Sequence, residues 1–147
     1  MNNKNNHSMM PAAATLLAFW LGENWRTDWP GEATRRRWFN STPTDDRQMA
    51  GQFGALLDAA LQGGLTDWES MPATRLALVL LLDQFARNIF RGEAHAFAGD
   101  ARALALVQSG IAAGMDASLP IAGRVFFYMP LMHAEELAAQ QQCIACF

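Results

Sequence analysis

Leu76-Ala77-Leu78-Val79-Leu80-Leu81-Leu82-Asp83-Gln84-Phe85-Ala86-Arg87-Asn88-Ile89-Phe90-Arg91-Gly92 is the stretch that decides the fold. Its first half is apolar on every side, which suits a helix enclosed by neighbours rather than one lying on a surface. At about 100° per residue, Asp83, Gln84, Arg87, Asn88 and Arg91 then fall within about 140° of one another. Leu76, Ala77 and Leu80 occupy that same arc one or two turns earlier, so the polar arc continues a buried face. Desolvating a carboxylate and two guanidiniums costs several kcal/mol per ion unless they are paired. Asp83 and Arg87, four apart with the acid first, have the favoured order for such a pair. Arg87 and Arg91 are like charges four apart, so one of them needs a second anion. Three roles fit the arc: solvated surface, a buried network that holds helices in register, or the wall of a ligand pocket.

Helix signals continue on both sides. Pro11 suits a first helical turn and Gly22 a helix stop. Thr42-Pro43-Thr44-Asp45 has the order of a capping box, and Met49, Phe53, Leu56, Leu57, Ala60 and Leu61 recur at three- and four-residue spacings until Gly63-Gly64. Pro72 opens the helix quoted above and Gly92 follows it. A further stripe runs through Ala101, Leu104, Ala105, Gln108, Ile111 and Ala112 to Gly114. Pro120 and Pro130 bracket a short helix, and a last helix is expected from about His133 onward. No segment alternates with β-branched residues, so strands are not expected. The expected fold is all-α, an antiparallel array of six or seven helices joined by short loops.

The whole-chain arithmetic sets bounds. A chain of 147 residues is one domain long, and 51% hydrophobic against 17% charged residues is enough to build a core without a metal or disulfide staple. Asn-rich residues 1–10 read as a disordered tail, leaving 11–147 as a single helical domain. A formal charge of -3 argues against a nucleic-acid partner, and the apolar run Leu76–Leu82 is far shorter than the ~20 residues of a membrane span. The apolar Ala12–Leu21 is followed by Gly22-Glu23-Asn24-Trp25 rather than a small-residue cleavage site, which favours a first helix over a signal peptide. Two cysteines make no disulfide framework, and the cytoplasm is the expected location.

The run from Leu80 to Gly92 resembles the signature of a mainly bacterial family, domain of unknown function 924. Phe19-Trp20-Leu21-Gly22, Trp38-Phe39, Asp45 with Phe53, Gly64-Leu65 with Trp68, Ala96-Phe97 with Asp100, and Tyr128-Met129-Pro130-Leu131 with His133 and Glu135 agree in order. The resemblance implies a tetratricopeptide-like helical fold and no reaction. This chain departs from the family pattern at Ala86, where the family has Pro, and at Ala134, where it has Ser. Family members also continue past the position of Phe147, so the last helices are expected to be missing, with weak self-association through an uncovered face.

The remaining constellations are weaker. His133 beside Glu135 and Glu136 fits a general base or a helix-start hydrogen bond. Arg124 and Tyr128 are its candidate neighbours. Cys143-Ile144-Ala145-Cys146 has redox-dithiol spacing but sits toward a helix C-terminus, where the dipole opposes a thiolate. Arg35-Arg36-Arg37 beside Trp38-Phe39 reads as a solvated helix face with an aromatic anchor. Five tryptophans either pack the core or line a groove. No motif implies a metal or a cofactor. Two functions follow. One is a module that holds a peptide or protein partner in a groove of aromatics and arginines. The other is an enzyme or sensor for a small anionic ligand. The candidate residues are Asp83, Gln84, Arg87, Asn88, Arg91, Arg124, Tyr128 and His133. A closed pocket of about 300–1,000 Å³ around them favours the second, a long concave face the first.

Overall fold

The computed structural model describes residues 10–134 and 136–147, and among them all regular structure is helical. The expected tail, residues 1–10, lies outside the described residues apart from Met10, whose carbonyl accepts the Ala14 N–H as helix α1 begins. The order is α1 (Pro11–Leu21), α2 (Glu32–Phe39), α3 (Pro43–Leu61), α4 (Pro72–Leu80), α5 (Ala86–Ile89), α6 (Asp100–Ala112), α7 (Ile121–Phe127), α8 (Met129–His133) and α9 (Leu137–Cys146). No helix among the described residues is long and apolar enough to cross a membrane.

Local chemistry explains several helix ends. Thr42 and Asp45 form a reciprocal capping box at the start of α3: the Asp45 N–H donates to Thr42 Oγ1 at 3.1 Å and the Thr42 N–H to Asp45 Oδ2 at 2.9 Å. Proline stands in the first turn of α1, α3, α4 and α8, where its missing N–H costs nothing. Gly22, Gly63, Gly92 and Gly114 take left-handed φ just beyond helices or in the turns after them.

Helix α4 is the axis of the core. Leu76, Ala77, Leu78, Val79, Leu80, Leu81 and Leu82 are all fully buried. Helices α1, α6 and α7 pack on α4, as an apolar circumference requires. Trp20, Phe53 and Phe85 join Phe19 in a tilted aromatic cluster with centroids 5.1–6.1 Å apart. Trp20, Trp25 and Trp68 are buried in this core.

Two features differ from the sequence expectation. Between α4 and α5, Leu81–Phe85 winds as a π-helical turn, which places one more residue in the turn than an α-helix holds. The backbone stays helical through Ala86 (φ -59°, ψ -42°), where the family pattern has proline. At the other end, His133 closes α8 instead of opening the last helix. Pro130 starts α8 and the backbone turns extended at Ala134 (φ -67°, ψ 140°), so α9 begins only at Leu137.

Candidate functional site

Asp83 lies inside the π turn and is 1% exposed. A carboxylate that deep must be met by donors on all sides. Arg87 Nη1 donates to Oδ1 at 2.8 Å and to the Asp83 carbonyl at 3.0 Å, while Gln84 Nε2 donates to Oδ2 at 2.9 Å. His133 Nδ1, from the end of α8, lies 2.8 Å from Oδ1. An acceptor-only carboxylate requires the proton to sit on Nδ1, which leaves Nε2 of a neutral ring as a lone pair on the opposite edge.

The second anion that the arginines demand is Asp100, at the start of α6. Its two carboxylate oxygens take Arg87 Nη1 and Nη2, each at 3.1 Å, in a planar fork. Gly99 makes this approach feasible. A Cβ there would lie 2.8 Å from the Leu82 carbonyl oxygen, so only glycine lets α6 begin against the π turn. Arg87 also lies over the ring of Phe97, 5.4 Å from its centroid.

Asp83, Arg87, Phe97, Asp100 and His133 line one cleft of about 640 Å³, together with Ala101, Leu104, Pro130, Ala134 and Glu136. Its size suits a small molecule. Its described walls hold three carboxylates, Asp83, Asp100 and Glu136, against the single guanidinium of Arg87, with His133 beside them. Among the described residues no cluster of three or more His, Cys, Asp or Glu side chains is arranged to hold a metal ion. Asp83 and Asp100 are both turned to Arg87 instead.

Of the sequence candidates, the structure unites Asp83, Gln84, Arg87 and His133. The others face elsewhere. Helix α5 ends at Ile89, so Arg91 lies beyond it and reaches Asp46 of α3 at 2.9 Å and Ser41 at 2.7 Å. The Asp46 bond raises the Arg91 pKa. Asn88 turns to Met49 Sδ at 3.5 Å. Arg124 donates to the carbonyls of Ala117 and Leu119. Tyr128 donates its hydroxyl to Asp116, and its pKa is raised, by burial first and by that carboxylate second. None of the five tryptophans lines the cleft. Asp100, Phe97 and Glu136 also line the cleft but stand outside the sequence candidates, although Glu136 was legible as a neighbour of His133. The surplus of arginine on the stripe called for further anions, but spacing could not say which residues supply them.

A model of the family described as "Bacterial protein of unknown function (DUF924)" matches residues 16–147. The chain belongs to this family. A DUF924 chain of this sequence is also similar to a solved structure, that of a protein of unknown function, ATU0120, from Agrobacterium tumefaciens. The two are 36% identical with a TM-score of 0.79, over 90% of this chain and 70% of that one. No curated protein matches the chain. In this DUF924 protein the stretch from Asp83 to Gly92 thus serves two places: its first half builds the cleft, and its last residues tie the helix end to α3.

Proposed function

We propose that the cleft is a small-molecule site in which His133 is the proton-transfer group and Asp83 its positioning partner. One observation carries this: a buried carboxylate held by Arg87 and Gln84 meets the imidazole at 2.8 Å, on the wall of a cleft of ligand size. Asp83 fixes the ring's tautomer and orientation and stabilises the imidazolium that forms when Nε2 takes a proton. Arg87 and Gln84 hold Asp83, so their part is positional. The described lining has no Ser, Thr or Cys, so the proton comes from a water or directly from the ligand. The groove of aromatics and arginines that a peptide module needs has less behind it. Trp20, Trp25 and Trp68 are in the core, and Arg91 and Arg124 are engaged in structural bonds.

Long-range nitrogen NMR of the imidazoles tests the reading. Only three histidines occur in the chain, which keeps assignment simple. The expected result is that neutral His133 carries its proton on Nδ1 and that Asp83→Asn removes this preference. Neutral His133 protonated on Nε2 in the wild type would overturn the proposed role.

A further inference from the structure

We infer that the cleft selects a cationic ligand, an alkylammonium on a short apolar body, and not an anion; this rests on reading the cleft as a small-molecule site. Arginine on a cleft wall ordinarily suggests anion binding, but here two protein carboxylates already offset the one guanidinium. Arg87 Nη1 is shared between Asp83 and Asp100, and Nη2 is taken by Asp100. A bound carboxylate or phosphate would compete with Asp83 and Asp100 for that single guanidinium and would face the charges of Asp83, Asp100 and Glu136. Like charges this close in a half-enclosed space repel strongly.

An ammonium meets the opposite situation. The Asp100 side chain is 37% exposed, and each of its oxygens accepts one bond from Arg87, so both keep acceptor capacity toward the cleft. Glu136 adds a second carboxylate on the wall. Phe97, 59% exposed, already carries Arg87 over one face of its ring and offers its remaining surface to the same space. Ala101, Leu104, Pro130 and Ala134 complete the lining with apolar contacts for a carbon body. His133 Nε2 stands as an acceptor for a proton of the ammonium or of a neighbouring group. A bare metal ion fits less well, because about 640 Å³ is far more room than an ion fills and the carboxylates are not gathered around one point.

The test compares two probes of equal length, n-butylammonium and butyrate, by the shifts of the His133 imidazole and of the Ala101 and Leu104 amides. The expected result is saturable binding of butylammonium that weakens with added salt, with butyrate inert. Asp100→Asn and Glu136→Gln should each weaken binding about five- to tenfold, the loss of one charge-assisted hydrogen bond. Glu136 is exposed and caps α9 through its backbone and not its side chain, so that variant remains informative if Asp100→Asn unfolds. Butyrate binding as tightly as butylammonium, or butylammonium binding indifferent to Glu136→Gln, would overturn the cationic class. Silence from both probes overturns it too, while the tautomer of His133 reports separately on the proton-transfer role.

Discussion

Asp83 and Arg87 are unequal partners. Arg87→Ala strands a buried carboxylate with only Gln84 and His133, and is expected to cost about 3–5 kcal/mol. Asp83→Ala leaves Arg87 its fork with Asp100, so about 1–3 kcal/mol is expected. Urea unfolding of both variants checks the order, and equal losses would mean that Asp100 holds nothing. The cysteines are a second test at this scale. Burial raises the thiol pKa of Cys143 and of Cys146 above the ordinary value of 9.0, and Asp116 adds to the shift at Cys146. Both should alkylate with iodoacetamide more slowly at neutral pH than a free cysteine, and at the ordinary rate in denaturant. A fast-reacting thiol in the native protein would revive the redox reading of this pair.

Helix starts carry the next set of expectations. The bond from Arg36 and the backbone bond at Thr42 hold the Asp45 carboxyl well below the usual carboxylate range. Its folded-state pKa lies below its unfolded one, so its contribution is complete above about pH 4 and fades as pH falls toward the folded value. The melting-temperature gap between wild type and Asp45→Asn should therefore be constant above about pH 4 and shrink below it. A gap that widened in acid would contradict the assignment. Gly99 sets the other start. Gly99→Ala drives a Cβ into the Leu82 carbonyl, a backbone atom that cannot rotate away, and should cost about 1–3 kcal/mol. Loss of the Arg87–Asp100 fork, visible in the guanidinium NMR signals, should accompany the lower melting temperature.

Across the molecule, burial is uneven and stability should follow it. Every residue from Leu76 to Leu82 is fully buried, whereas α2 has no buried residue and is held by side chains such as Trp38, whose indole N–H donates to the Trp20 carbonyl at 2.9 Å. Amide hydrogen exchange should find its slowest protons between Leu76 and Phe85 and its fastest helical ones in α2. Uniform protection would mean that α2 is locked by more than its few anchors. The cleft lies at the end of this buried axis, so Asp83 stands on the enclosed side while His133 ends the short helix α8.

Local rules acting over a few residues were legible in the sequence alone. Capping at Thr42 and Asp45, prolines in first turns, glycines just past helix ends and the enclosed run from Leu76 to Leu82 each depend on neighbours within one or two turns. They fix the all-α class and several helix limits. The Asp83–Arg87 pair was legible for the same reason. The site itself was not, because its partners are distant: Asp100 is 13 residues from Arg87 and His133 is 50 from Asp83. The π turn was also invisible, and it voids the assumption of an even 100° step on which the five-residue polar arc was drawn. Packing of α6 and α8 against that turn decided which polar residues share a cleft. The end of α5 at Ile89 sent Arg91 to α3 instead. Hydrogen-bond geometry in a crowded interior is a property of the assembled helices, and only the tertiary structure could set it.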